Sequence, residues 1–142
     1  MKPKISKSYE VVKTFESVYS GGQAIWSKDE IFTIYETGVN IVSRGEVKQS
    51  VKEEEDPVLC FTILPESSST CLVTAHKSGL VKIWNYEPEN PEKKPPSLVR
   101  TFRSIHTGNI ALMKLHQVLT STVLATGGSD GSVKVKNCIV LL

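Results

Sequence analysis

Residues 72–85 (LVTAHKSGLVKIWN) and 124–137 (LATGGSDGSVKVKN) share six of fourteen positions at an offset of 52 residues. The identities are Leu72 with Leu124, Thr74 with Thr126, Gly79 with Gly131, Val81 with Val133, Lys82 with Lys134 and Asn85 with Asn137. The same offset sets Val58, Cys60 and Leu64 against Ile110, Leu112 and His116. Such a repeat constrains the fold more than any other feature, because each unit must bury its apolar face against the next. Residues 86–96 form an insert that holds four of the seven prolines, and without its eleven residues the period is 41. A fainter copy precedes these, with Val39 and Ile41 standing 42 residues before Val81 and Ile83. Val11-Val12-Lys13-Thr14-Phe15 also echoes Leu98-Val99-Arg100-Thr101-Phe102.

The unit reads as strands. Residues 58–64, 72–75, 80–84 and 123–126 are short, rich in β-branched and aromatic side chains, and bounded by turn residues. Asp130-Gly131, ahead of Val133 and Val135, predicts a hairpin, since both residues tolerate positive φ. Ser78-Gly79 is the matching turn one unit earlier, and the serine-rich residues 66–70 supply another connection. No helical apolar periodicity of useful length occurs. About four strands fit a unit of about 40 residues, the arithmetic of a β-propeller blade.

Composition excludes several classes of function. With 17 basic and 15 acidic residues the net charge is +2, too even for nucleic-acid binding through bulk electrostatics. The longest apolar run, residues 138–142, is far short of the roughly 20 residues a membrane-spanning helix needs. Basic residues 1–7 lead into no apolar signal core, so secretion is not expected. Three cysteines without regular spacing predict a reducing compartment and no disulfide framework.

The strings LATGGSDGSVKV and SGLVKIWN resemble WD40 repeats, whose unit opens on Gly-His and closes on Trp-Asp. Trp84-Asn85 stands where the closing pair falls, and Ile105-His106 where the opening pair falls. Within that superfamily the chain is similar to the transducin-beta-like, U3 small-nucleolar-RNA-associated proteins of the small-subunit processome. Tyr19-Ser20-Gly21-Gly22, Gly38-Val39-Asn40-Ile41-Val42 and the order of the next two units carry that similarity, which spans residues 9–135.

The resemblance implies an all-β, incomplete WD40 β-propeller: about two and a half four-stranded blades of an expected seven. Residues 1–20 would be a tail and ring-closing outer strand, the latter at Val11 to Phe15. Residues 21–56 would form a first blade and 57–105 a second, carrying the insert 86–96. Residues 106–142 would form a partial third. There Lys136 replaces the Trp of the second unit and Cys138-Ile139-Val140-Leu141-Leu142 follows, so a divergent or truncated end, and hence a fragment, is expected.

In WD40 blades the opening His, a strand Ser or Thr, the turn Asp and the Trp form a buried hydrogen-bond chain. The resemblance therefore implies a structural network of His106, Thr126 and Asp130 in the third unit, and of Thr74, Ser78 and Trp84 in the second. Neither is complete as read: the third lacks Trp, and the second has Ser78 for Asp and no opening His. Ser129, Asp130 and His106 are also the residue types of a hydrolase triad. A serine beside the aspartate in a hairpin turn, however, has neither a strained strand-to-helix elbow nor an oxyanion hole, and no catalytic residue is assigned.

Gly127-Gly128-Ser129-Asp130-Gly131 imitates a phosphate-cradling loop, but Val133-Lys134-Val135 continues it as a strand where a helix is required. Cys60, Cys71, Cys138, His76, His106 and His116 lack the spacing of zinc ligands, so neither metal nor cofactor is expected.

Lys2, Lys4 and Lys7 read as a solvated tail, without the interleaved aromatics of a single-strand binder. Lys52-Glu53-Glu54-Glu55-Asp56 reads as a solvated loop. The Pro-rich insert is expected to be irregular, exposed and extended from one rim. Its Glu87, Glu89, Glu92, Lys93 and Lys94 are the candidate partner contacts, because loops on rigid scaffolds carry interaction function.

The resemblance further implies a non-enzymatic scaffold of the nucleus and nucleolus, acting in ribosomal RNA processing and ribosome biogenesis. Its partners would be other processome and U3 ribonucleoprotein proteins, with direct or indirect contact to precursor ribosomal RNA or U3 RNA. No membrane and no small-molecule substrate are expected. The alternative is a general WD40 adaptor, a ubiquitin-ligase receptor or a signalling scaffold.

Overall fold

The computed structural model describes residues 10–14, 17–66, 68–88 and 94–137. These contain eleven strands and no helix, arranged as three antiparallel sheets. The first holds β1 (Ala24–Ser27), β2 (Glu30–Tyr35), β3 (Gly38–Ser43) and β4 (Glu46–Val51). The second holds β5 (Val58–Pro65), β6 (Thr70–His76), β7 (Leu80–Tyr86) and β8 (Ser97–Arg103). The third holds β9 (Ile110–Val118), β10 (Ser121–Gly128) and β11 (Val133–Asn137). In each sheet the spatial order follows the sequence, so every connection joins direct neighbours. The internal repeat appears as shared register: Leu72 faces Trp84 as Leu124 faces Lys136, and Thr74 faces Lys82 as Thr126 faces Lys134.

The period-2 alternation of strands distributes the apolar side chains between two cores. Leu72 of β6 packs with Phe61, Val58 and Tyr86 against Phe32, Ile34, Val39 and Ile41 of the first sheet. Its neighbours Cys71, Val73 and Ala75 point the other way, against Ile110, Met113, Leu115 and Leu124 of the third sheet. The second sheet is therefore sandwiched, and all seven residues of β6 are buried. Each fully buried Leu, Ile or Phe contributes about 1.5–3 kcal/mol, so the stacking of sheets dominates the stability.

Three expectations are corrected here. Of the pair Asp130-Gly131 only the glycine has positive φ (80°), just as Gly79 does (88°) in the second sheet. The hairpin is a four-residue loop in which Gly131 N–H donates to the Gly128 carbonyl at 3.1 Å. Asp130 keeps ordinary backbone angles while its side chain is turned inward, as described below. Second, residues 10–14 form no strand, and Val11 and Val12 are 78% and 97% exposed; Phe15 lies outside the described residues. A single strand without a ladder partner has nothing to satisfy its backbone. Third, the insert is anchored at both ends, with Tyr86 and Pro96 buried. Residues 17–20 are already tied to β2, through Thr33 Oγ1 donating to the Val18 carbonyl and Ser20 N–H donating to the Ile34 carbonyl.

Candidate functional site

The turns that join successive strands carry the polar chemistry of the chain. In the third sheet His106 lies in the linker before β9, Thr126 on β10 and Asp130 in the β10–β11 turn. The His106 Nδ1–H donates to the Asp130 carboxylate at 3.1 Å, and Nε2 lies 2.8 Å from Thr126 Oγ1. Asp130 also accepts from Ser132 Oγ at 2.7 Å, from Ser132 N–H at 3.0 Å and from Thr107 N–H at 3.0 Å. These donors, Ser132 foremost, hold its carboxyl well below the usual carboxylate range. Lys134 reaches across to donate to the Ile105 carbonyl.

The second sheet holds a comparable chain with its donors relocated. Trp84 Nε1–H donates to Thr74 Oγ1 at 3.0 Å, and Thr74 Oγ1 lies 2.7 Å from His76 Nε2. The other ring nitrogen of His76 donates to the Asp56 carbonyl at 2.8 Å. The Asp56 carboxylate in turn accepts from Ser78 Oγ at 2.6 Å and from Ser78 N–H at 2.9 Å. Burial pushes the Asp56 carboxyl up, but the Ser78 bonds and nearby His76 and Lys82 bring it below its ordinary value. The second unit is thus not short of an imidazole or a carboxylate. His76, at the end of β6, supplies the first, and Asp56, in the linker before β5, supplies the second.

The repeat offset shows what has been exchanged. His76 corresponds to Gly128, and Asp56 to Gly108. A Cβ on Gly128 would lie 2.3 Å from His106 Nδ1, and one on Gly108 would lie 2.1 Å from Ser129 Oγ. Where the third unit brings its imidazole from the linker and its carboxylate from the turn, glycine at the strand end makes room for both, and Gly108 in the linker makes room for Ser129. Each satisfied group avoids a desolvation cost of about 1–3 kcal/mol.

The sequence reading gives His76, Asp56, Ser132 and Thr107 no part in either network, weighing His76 only as a metal ligand and Asp56 only as part of a solvated loop. A histidine two residues after Thr74, on the same face of the strand, was the available signal.

The acidic linker is also more than a solvated loop: Glu53 pairs with Lys82 at 3.0 Å, and Asp56 is committed as above. Of the candidate partner contacts, Glu87 and Lys94 are exposed, while Glu89, Glu92 and Lys93 lie outside the described residues. Next to them a cavity of about 330 Å³ opens between the first and second sheets, lined by Lys28, Arg44, Lys48, Tyr86, Glu87 and Lys94 among others. Tyr86 O–H donates to Glu30 at 2.5 Å, and burial together with this carboxylate pushes the phenol up.

Cys60 is buried against the Ile110 carbonyl, and burial pushes its thiol up to about 12. Among the described residues no group of three His, Cys, Asp or Glu is placed to hold a metal, and no helix is long and apolar enough to cross a membrane.

Sequential antiparallel sheets stacked face to face, with every strand beside its neighbour in sequence, are the blades of an incomplete β-propeller. The described residues hold two four-stranded blades and three strands of a third. The chain is similar to transducin beta-like protein 3. The human (Homo sapiens) protein is 33% identical over 133 residues, which cover 90% of this chain and 15% of that protein. The Bos taurus protein is 32% identical over 137 residues, covering 93% and 16%, and the Rattus norvegicus protein 32% over 133, covering 90% and 15%. The chain thus spans about 15% of the length of these curated relatives. No family model matches it. The fold is shared with a chain in the crystal structure of BBS1N in complex with ARL6DN, soaked with mercury. The TM-score is 0.56 at 15% identity, over 76% of this chain and 33% of that one.

Proposed function

We propose that the chain is part of a non-catalytic WD-repeat scaffold of the small-subunit processome, associated with the U3 ribonucleoprotein and acting in ribosomal RNA processing. The similarity to transducin beta-like protein 3 over 90% of the chain carries this reading. The processome assignment rests on the resemblance at Tyr19-Ser20-Gly21-Gly22 and Gly38-Val39-Asn40-Ile41-Val42.

The chemistry of the loops supports a scaffold. His106, Thr126, Asp130, Thr74, Ser78 and Trp84 direct their hydrogen-bonding groups to one another and to neighbouring protein groups. What such a molecule offers outward is a rigid set of rims, and the exposed Glu87 and Lys94 beside the inter-sheet cavity are the proposed contact points. Its partners on this reading are other processome proteins in the nucleolus, with RNA contact direct or through them.

The test is to tag the protein in cells, locate it, and isolate what it binds. Nucleolar concentration and co-purification of U3 RNA with small-subunit precursors are expected. Depletion should then cause unprocessed precursor RNA to accumulate. Recovery with ubiquitin-ligase or signalling complexes and no U3 RNA would replace this reading with the adaptor one.

A further inference from the structure

We propose that the cavity of about 330 Å³ between the first and second sheets is a docking site for an extended segment of a partner protein, with an acidic side chain of that segment held by Arg44. The proposal rests on the scaffold reading above only in taking the partner to be a protein. Three connections converge on this cavity: the β1–β2 turn with Lys28 and Asp29, the β3–β4 turn with Arg44, and the end of β7 with Tyr86 and Glu87.

Both hairpin turns hold their cationic residue at a cost in backbone conformation. Ser27 pairs with Glu30 and Ser43 with Glu46, so each turn has two residues. Such turns set their first residue at positive φ, a position that suits Gly, Asn or Asp. Here φ is 53° at both Lys28 and Arg44. Of the five described non-glycine residues with positive φ, these two alone are cationic, and both line the cavity. A long charged side chain kept where glycine would relax the turn serves a binding site rather than the hairpin.

The cations of the cavity are unequally engaged. Lys28 Nζ donates to the Glu66 carbonyl at 2.8 Å, and Lys48 pairs with Glu46 at 3.0 Å. Arg44 is exposed, and among the described residues its guanidinium has neither a hydrogen-bond nor an ion-pair partner. Its planar fork matches a carboxylate, which it can hold through two parallel N–H···O bonds. The acidic part of the lining decides which anion fits. Asp29, Glu30 and Glu87 share the cavity, so a polyanion such as RNA would bring successive phosphates against three carboxylates. A peptide brings one carboxylate for Arg44 and backbone N–H groups for the acidic wall. The volume lies at the lower end of the roughly 300–1,000 Å³ of small-ligand sites, which suits one side chain with its flanking peptide units.

Selection from a phage-displayed library of random dodecapeptides on the purified 142-residue chain tests this. The enriched peptides are expected to share an acidic residue and, made synthetically with a fluorescein label, to bind in fluorescence anisotropy. Arg44→Gly should weaken that binding at least about tenfold, as should the amide in place of the peptide's carboxylate. The two changes together should cost little more than either alone. Arg44→Lys, which keeps the charge without the fork, should give an intermediate loss. Because glycine suits a φ of 53°, Arg44→Gly should unfold at an equal or higher urea concentration, so that its loss of binding is a loss of contact. No enrichment over blank wells, enriched peptides without a shared acidic residue, or binding indifferent to both Arg44 changes would each overturn the proposal. So would an oligouridylate that displaces the peptides and itself depends on Arg44. Any of these with U3 RNA still recovered on the tagged protein removes this site and leaves the scaffold reading standing. Arg44-dependent peptide binding without U3 RNA recovery does the reverse.

Discussion

Gly128 is shaped by His106: a β-carbon at residue 128 would lie 2.3 Å from the imidazole Nδ1 and 2.9 Å from an Asp130 carboxylate oxygen. In the second sheet the corresponding position is His76, whose own ring fills the equivalent role. The same imidazole requirement is met from two different backbone positions.

Gly128→Ala should therefore destabilise the chain by about 1–3 kcal/mol, the usual cost of overpacking, because the ring and the carboxylate must both move. The midpoint of denaturant unfolding measures it. The same substitution at Gly127, where a Cβ meets nothing within 4 Å, is the control and should have little effect.

Lys136→Trp should stabilise the third sheet. Lys136 faces Leu124 as Trp84 faces Leu72, so an indole there can donate to Thr126 as Trp84 does to Thr74. Against a gain of about 0.5–1.5 kcal/mol for the hydrogen bond stands the loss of the Lys136 ammonium from its place 3.9 Å over the Phe102 ring. A double-mutant cycle with Thr126→Val isolates the bond: the gain should vanish in the valine background.

Acid should loosen both networks. The Asp130 and Asp56 carboxyls are held below the ordinary 3.8 in the folded chain. A carboxyl depressed on folding contributes stability that is present above its unfolded value and is lost as pH falls through the folded one. Unfolding midpoints should hence be flat above about pH 5 and fall below about pH 4. Asp130→Asn should flatten that fall while lowering stability at neutral pH, where the amide can no longer accept all the bonds from Ser132, Thr107 and His106.

Tyr86→Phe should cost about 1–3 kcal/mol by leaving Glu30 without its buried donor. Limited proteolysis within the Pro-rich insert should accelerate in parallel, since Tyr86 anchors the insert's first end to the first sheet.

The strands were readable because residue type and the repeat supplied what periodicity could not. β6 is buried on both faces, so Thr70 to His76 shows no apolar–polar alternation to announce a strand. Its residues 72–75 are announced instead by β-branched content and bounding turn residues, with the match of 72–85 to 124–137 in support. His106, Thr126 and Asp130 were legible because they sit in the expected columns of the repeat. His76 and Asp56 were hidden for the converse reason: one occupies a glycine column and the other closes an acidic run, so only their meeting in space reveals a shared task. The match of Val11 to Thr14 with a strand sequence was equally visible, yet a strand needs an edge to lie against, and sequence does not say whether one is within reach.

The sandwiching of β5–β8 between two apolar layers has a consequence for how this molecule can be divided. No single sheet here is an autonomous folding unit. A cut in the linker between Val51 and Val58 would strip Phe32, Ile34 and Ile41 from Phe61 and Leu72, leaving two pieces that each expose half of one core. A cut between Arg103 and Ile110 would do the same to the other. Cooperativity in this chain therefore belongs to the interfaces between layers rather than to the layers, and truncation is felt first by the sheet next to the cut.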